Sequence, residues 1–288
     1  MSEDPPGAPR RVGVLGGGRM GAGIAHAFLL AGSHVTVVER DDEAAGAAGE
    51  RVRESLARSV ARGGVADTLD VLVARLRVEV TPDAFAGSDL VVEAVPEVRA
   101  LKRDALRRVE AVLGEGAALA SNTSSISIDA LAADLERPDR FLGLHFFNPV
   151  PASTLVEVVV GAATAPDLAA AARGWTVAIG KTPVVVRDAP GFASSRLGVL
   201  LGLEAIRMLE EGVATAADID AAMELGYRHP MGPLRTTDIV GLDVRLGIAE
   251  ELHEALGERF APPHLLRRMV AEGATGRKSG RGFYEWSE

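Results

Sequence analysis

The chain of 288 residues contains no cysteine, which removes disulfides, thiolate metal sites, iron–sulfur clusters and a thiol nucleophile in one step. Any redox chemistry then needs a bound cofactor. No stretch approaches the roughly 20 apolar residues of a membrane-spanning helix. The opening, Met1 to Arg10, is polar and rich in Pro, without the apolar core of a secretory leader. A soluble cytoplasmic protein that does not engage a membrane is the simplest expectation. Positive charge is in deficit, with 31 Lys and Arg against 40 Asp and Glu and a formal net charge of -9. That balance argues against nucleic acid or an anionic membrane as the main partner, although a local basic patch could still hold an anionic ligand. The six histidines are scattered, none at metal-ligand spacing from another histidine or acid, so no metal site is expected.

The hydrophobic content of 47% over this length favours one large domain and one smaller one. From Arg11 to about Val186, short β-branched runs alternate with longer amphipathic stretches rich in Ala and Leu, the pattern of a mostly parallel sheet with helices on its faces. The expected strands are Val12–Leu15, Val35–Val38, Leu76–Val80, Leu90–Val95, Ala117–Ala120, Phe141–Leu144, Leu155–Val160 and Val184–Val186. After Arg187 helical patterns follow one another over Phe192–Glu211, Thr215–Leu225, Leu234–Leu256 and Pro263–Glu272. The turn-rich Asp188-Ala189-Pro190-Gly191 marks the boundary. The expectation is an α/β domain over residues 1–187 followed by an all-α domain over residues 188–288.

Gly16-Gly17-Gly18-Arg19-Met20-Gly21 follows the first apolar strand and opens a helix, and its G-x-G-x-x-G spacing matches the dinucleotide fingerprint. The first glycine permits the tight turn, the second lets a pyrophosphate approach the backbone, and the third lets the helix pack close to the strand. Gly16, Gly18, Met20 and Gly21 are therefore candidate cofactor-binding residues. Glu39, at the end of the second strand, stands where an acid accepts hydrogen bonds from the adenosine ribose. Strand, loop, helix, strand and acid agree on a Rossmann-type doubly wound sheet that uses NAD. Glu39 would repel a 2'-phosphate, whereas the neighbouring Arg40 could accommodate one. Gly180-Lys181-Thr182 looks like the end of a triphosphate-binding loop, but its opening glycine is displaced to Gly174 and the residues between look helical, so a helix-to-strand turn is expected.

His145 follows the apolar run Phe141-Leu142-Gly143-Leu144, and strand C-termini are where doubly wound sheets place their ligands. Glu157, 12 residues on, lies inside the apolar Leu155-Val156-Glu157-Val158-Val159, where an ionised carboxylate is costly unless paired. A histidine oriented by a buried acid beside a nicotinamide is a suitable base for a hydroxyl proton. A core histidine bonded to backbone and a glutamate on the solvent face of an edge strand fit the spacing equally well. Ala120-Ser121-Asn122-Thr123-Ser124-Ser125 supplies hydroxyls and amides at the same sheet edge, or equally a turn with a helix cap.

Several separated motifs, GGGRMGAGIA at Gly16, DLVVEAVPE at Asp89, ASNTSS at Ala120, GLHFFNPVP at Gly143, LVEVV at Leu155, DAPGF at Asp188, HPMGP at His229 and GRKSGRGFYEW at Gly276, together resemble the L-3-hydroxyacyl-CoA dehydrogenase family, including its short bacterial 3-hydroxybutyryl-CoA members, from Arg11 to Trp286. The resemblance implies that His145 is the catalytic base, Glu157 its acidic partner and Ser124 the hydroxyl that helps position the substrate oxygen. It also implies that Glu97, Lys102 and Asn148 lie close to the cofactor, with Asn148 also near the substrate. Arg51, Ser55, Arg58 and Arg62 fall on one helical face at i, i+4, i+7 and i+11. Ser55 and Arg62 match the family's CoA-contacting Ser and Lys positions; without a ligand, the same face reads as a solvated basic stripe. Ser195 stands where the family usually carries Asn, a position associated with the substrate, and its shorter hydroxyl reaches less far.

The resemblance implies reversible NAD-dependent oxidation of an L-3-hydroxyacyl-CoA, short in chain as in 3-hydroxybutyryl-CoA, to the 3-ketoacyl-CoA. The enzymatic alternative is a dehydrogenase of a free hydroxy acid or sugar acid, as in L-gulonate dehydrogenases. A non-catalytic dinucleotide-binding protein is the alternative of another class. Leu197, Leu200, Leu201, Ile206 and Leu209 form an apolar helix face, and the resemblance implies a homodimer through the C-terminal domain. A self-contained helical core accounts for the same pattern.

Overall fold

The computed structural model describes residues 7–287, so Met1–Pro6, part of the polar opening, lie outside the described residues. The chain divides into two compact units, with the break after Asp188.

The first unit is built on one eight-stranded sheet. Its strands are β1 (Arg11–Leu15), β2 (His34–Val38), β3 (Leu76–Glu79), β4 (Leu90–Glu93), β5 (Ala118–Ser121), β6 (Phe141–Phe146), β7 (Leu155–Val160) and β8 (Thr182–Arg187). They lie in the order β3-β2-β1-β4-β5-β6-β7-β8. Pairing is parallel from β3 through β6, antiparallel between β6 and β7, and parallel again between β7 and β8. All eight expected strands are present, each displaced at its ends by no more than two residues. The order reverses between β1 and β4, and crevices outside strand C-termini at such a reversal are where open α/β sheets bind ligands.

Six helices accompany the sheet: α1 (Arg19–Leu30), α2 (Asp42–Arg62), α3 (Leu69–Ala74), α4 (Arg99–Glu110), α5 (Ile128–Ala132) and α6 (Pro166–Ala178). Val12, Val14, Ile24, Phe28, Val35, Val37, Val52, Leu56, Leu90 and Val92 join in one apolar core beneath α1 and α2. Gly180, at φ 73°, ends the turn after α6, and the Lys181 ammonium donates to the carbonyls of Val150 and Ser153. The lysine that mimicked a phosphate-binding loop is thus a structural tie at a helix-to-strand turn.

The second unit consists of α7 (Ser194–Glu210), α8 (Ala216–Tyr227), α9 (Pro233–Val240), α10 (Leu242–Leu256) and α11 (His264–Ala271). The single helix expected over Leu234–Leu256 is two, because Gly241 has φ 104°, a conformation outside any right-handed helix. The apolar pattern runs across this break without a change of period, which hides it from the sequence. The α7 face also divides: Ile206 is fully buried in the unit's own core, Leu209 packs partly buried against it, and Leu197 and Leu200 are exposed.

Two buried carboxylates hold the end of the chain. Asp220 of α8 accepts from the amides of Leu234 and Arg235 and from the Tyr284 hydroxyl. Asp238 of α9 accepts from the amides of Phe283 and Tyr284 and from the Trp286 indole. A Cβ at Gly276 or Gly282 would overlap Asp238, which explains why this segment carries glycine there. Arg235 completes the lock by lying 4.2 Å over the Tyr284 ring.

Candidate active site

The glycine loop connects β1 to α1. Gly16 has φ 91° and packs against the Ala94 backbone, while a Cβ at Gly21 would overlap the Gly16 carbonyl. Gly18 differs, since nothing lies within 4 Å of the position its Cβ would take. The protein therefore leaves open the space into which a ligand's phosphates would approach that backbone. The first turn of α1 has neither a side-chain cap nor an acidic residue, so its amides and positive end suit an anion. Met20, half-buried in this turn, packs against the core.

Glu39 follows β2 and is half-buried. One carboxylate oxygen accepts from the Gly17 amide at 2.7 Å and the other from the Arg40 amide at 3.1 Å. The Arg51 guanidinium donates to the Gly17 carbonyl at 3.2 Å. Arg51 thus reaches the dinucleotide loop, a contact that the helical spacing of α2 did not reveal. Arg40 is exposed and paired with Asp41 at 3.0 Å. An open cradle at Gly18, an uncapped helix end and a carboxylate at the end of the second strand together fit a dinucleotide.

Loops after β4 and β5 are joined by a charge network. Glu93, fully buried at the end of β4, accepts from the Lys102 ammonium at 2.8 Å, the Val95 amide at 2.7 Å and the Ser121 hydroxyl at 2.6 Å. Burial pushes the Glu93 carboxyl upward against the opposing pull of Lys102 and these donors. Lys102 also meets Glu97 at 3.2 Å. Glu97 accepts from the Thr123 hydroxyl and the Ser124 amide at 2.5 and 2.8 Å. Burial alone would raise Glu97, but Lys102 and the Thr123 and Ser124 donors outweigh it and hold the carboxyl below its ordinary value. This network sets the backbone that carries Ser124. Asn122 adds a link to the next strand by accepting from the Phe146 amide at 2.8 Å.

His145 lies within β6, not beyond it, and stands directly opposite Glu157 in the antiparallel register with β7. Direct partners in such a pair project on the same face, and His145 Nδ1 lies 2.7 Å from the Glu157 carboxylate. His145 is 5% exposed and Glu157 0%. The edge-strand reading of Glu157 is thereby corrected, because β8 covers β7. The His145 ring also packs against Phe147 with centroids 4.5 Å apart.

The remaining candidates are more dispersed. Asn148 is exposed two residues beyond β6, before a cis bond to Pro149. Ser55, Arg58 and Arg62 share the single helix α2; Ser55 is buried, Arg58 is exposed and paired with Glu54 at 3.6 Å, and Arg62 is exposed. Ser195 is half-buried in the first turn of α7, in the second unit. Sequence reasoning missed Glu93, for which the available signal was an acid closing an otherwise apolar strand; Asn122 and Thr123 stood in the hydroxyl- and amide-bearing motif after β5, but their partners Phe146 and Glu97 did not show in it. Among the described residues there is no metal-competent cluster and no helix long and apolar enough to cross a membrane.

This sheet and its loops define a nicotinamide-dinucleotide-dependent oxidoreductase, and comparison with known proteins narrows the class. Residues 11–189 match the NAD-binding domain of 3-hydroxyacyl-CoA dehydrogenase, and residues 191–286 match its C-terminal domain. The chain belongs to the 3-hydroxyacyl-CoA dehydrogenase family, and its cofactor is NAD. It is 44% identical over 285 residues to a 3-hydroxybutyryl-CoA dehydrogenase of Mycobacterium tuberculosis, covering 97% of this chain and 99% of that protein. Human mitochondrial hydroxyacyl-coenzyme A dehydrogenase is 39% identical over 287 residues, covering 96% and 91%. The crystal structure of (S)-3-hydroxybutyryl-CoA dehydrogenase from Ralstonia eutropha matches with a TM-score of 0.92 at 39% identity, covering 98% of this chain and all of that one.

The lowered Glu97 value generates a pH-dependent prediction. A carboxyl depressed in the folded state stabilises the fold above its ordinary value of 4.5 and loses that contribution as pH falls through the depressed value. Glu97→Gln should therefore reduce stability at pH 7, and the gap from the parent protein should narrow as the pH drops below 4.5. Urea unfolding of both proteins at several pH values measures the gap. A gap that does not change with pH would contradict a charge-dependent role.

Proposed function

We propose that the protein catalyses the reversible oxidation of a short-chain L-3-hydroxyacyl-CoA, such as 3-hydroxybutyryl-CoA, to the 3-ketoacyl-CoA. The observation that carries this reading is the buried His145–Glu157 pair in the sheet that bears the dinucleotide loop. A neutral imidazole that donates from Nδ1 to Glu157 presents Nε2 as an acceptor. His145 takes the proton of the C3 hydroxyl at Nε2, and Glu157 stabilises the imidazolium that forms. NAD, when bound, supplies the nicotinamide carbon that accepts the hydride from C3. In the reverse direction His145 returns its proton to the ketone oxygen. Ser124, whose amide is held by Glu97, and Asn148 position the substrate oxygen and the nicotinamide end of the cofactor. Gly16, Gly18, Met20 and Gly21 hold the pyrophosphate, Glu39 the ribose, and Glu97 and Lys102 support the loops around them.

In this reading residues 1–187 form the cofactor domain and residues 188–288 the substrate and dimerisation domain, with Ser195 in contact with substrate. Ser55, Arg58 and Arg62 receive the CoA moiety, because arginine forks pair well with phosphate. The names of the M. tuberculosis and R. eutropha relatives support a short acyl chain. The protein acts in the cytoplasm, where CoA thioesters and NAD are available. It assembles as a homodimer through the helical domain, a reading supported by the exposed Leu197 and Leu200; light scattering should give twice the 30.1 kDa chain mass, and a monomer at working concentration would refute it.

His145→Gln should lower kcat by about 10² to 10⁴, the span of a general acid–base group, while NADH binding measured by fluorescence is retained. Activity within a few-fold of the parent would remove His145 from the base role. Reversing charge at Arg58 and Arg62 together should raise KM for acetoacetyl-CoA by about ten-fold or more, at about 1.5 to 3 kcal/mol per lost charge-assisted contact. An unchanged KM for the thioester, with turnover of a free hydroxy acid, would favour the small-acid reading.

A further inference from the structure

The glycine loop spends its backbone amides unevenly. Gly16 donates to the Val38 carbonyl at 2.8 Å, and Gly17 donates to a Glu39 carboxylate oxygen at 2.7 Å. The Gly18 amide, next in line, donates to no group among the described residues, and the space where a Gly18 Cβ would stand is open. An unspent amide at the uncapped start of α1 is a donor available to an anion. The direction in which it points then decides how well a phosphate is received.

That direction belongs to the peptide joining Gly17 to Gly18. A trans peptide is planar and carries its carbonyl and its N–H on opposite sides, so whatever holds the Gly17 carbonyl also aims the Gly18 amide. The group that holds it is Arg51 of α2, whose Nη1 donates to that carbonyl at 3.2 Å. Glu39 holds the preceding peptide in the same manner, through the Gly17 amide. Three consecutive glycines impose little on their own dihedrals, and one carboxylate and one guanidinium supply the missing constraint on two successive peptide planes.

The packing around the loop agrees with this role. A Cβ at Gly17 would overlap the Ala48 side chain of α2, and Arg51 follows Ala48 by three residues, a neighbouring position on the helix surface. Other arginines of α2 serve acids of their own helix, Arg53 with Glu50 at 2.7 Å and Arg58 with Glu54 at 3.6 Å. Arg51 has instead the Gly17 carbonyl as its polar partner among the described residues.

We propose that Arg51 is a positioning residue for the cofactor, which by holding the Gly17 carbonyl turns the Gly18 amide toward the pyrophosphate of NAD. Arg51 thus serves the cofactor, whereas Ser55, Arg58 and Arg62 of the same face are assigned to CoA. The inference rests on the reading of Gly18 as a pyrophosphate contact.

The test compares two ligands of the complete enzyme, ADP-ribose, which carries the pyrophosphate, and adenosine, which lacks it, each displacing NADH in a fluorescence titration. Arg51→Ala should weaken ADP-ribose by about tenfold, the worth of one misdirected hydrogen bond to a charged group, and leave adenosine within about twofold of the parent. Arg51→Lys, which keeps a donor on a long stem, should recover most of the loss. The tenfold difference should persist at about 0.5 M salt, where attraction between an exposed cation and a phosphate is screened. Arg51 is itself exposed, so its removal empties no core position; if Arg51→Ala nevertheless fails to fold, Arg51→Met keeps the stem without the donor and carries the same comparison. Equal losses for both ligands, no loss for either, or a difference that salt abolishes overturns the inference, as does Arg51→Lys binding ADP-ribose as weakly as Arg51→Ala. A parent enzyme that binds ADP-ribose no more tightly than adenosine refutes the pyrophosphate reading of the loop itself, and the inference falls with it.

Discussion

A carboxylate taken out of water has to be answered by donors, and four such groups organise this protein. Glu93 gathers Lys102, Ser121 and the Val95 amide around the end of β4. Glu157 receives His145 across the β6–β7 ladder. Asp220 and Asp238 fasten the last residues of the chain to α8 and α9. Each is nearly or fully buried, so removal of a partner would leave an uncompensated charge, a penalty far larger than the net worth of an exposed ion pair. The acids therefore act as fixed points from which loops take their geometry.

The same requirement accounts for the precision of the proposed chemistry. Glu157 cannot orient His145 unless the ladder register brings the two to the same level, and a one-residue slip would send the glutamate to the opposite face. Glu97, through the Thr123 hydroxyl and Ser124 amide, carries the Lys102 charge network into the loop that bears Ser124. The positioning of a hydroxyl at the sheet edge thus depends on an ammonium buried beneath it. Arg245 is the counterexample within the second unit, a buried guanidinium whose Nε has no acceptor among the described residues.

Much of the proposed cofactor site was legible because its requirements are local. A tight turn, a close helix–strand approach and an acid after the second strand each demand a residue type at a set distance in sequence, so Gly16, Gly21 and Glu39 could be read directly. Gly18 was legible for the opposite reason: nothing in the protein requires glycine there, and the open space above it points to a ligand. Glu93 was harder to read, since its partners come from α4 and β5, and the contact of Arg51 with Gly17 was invisible to a spacing argument that could only place it on a helix face. The break at Gly241 was masked by apolar periodicity that continues on both sides of it.

By itself, the sequence determined the alternation of strands and helices, the glycine loop with an acid after the second strand, the helical character after Arg187 and, through motifs taken together, the family. Those features follow from periodicity and from residue types that backbone geometry imposes within a few positions. Only the tertiary structure decided that His145 and Glu157 face one another, that β8 covers β7, that Arg51 reaches the glycine loop, and that α7 glycines accommodate the Arg245 guanidinium. Each of these depends on register or packing between segments distant in the chain, and spacing along one segment does not encode the direction in which another will meet it.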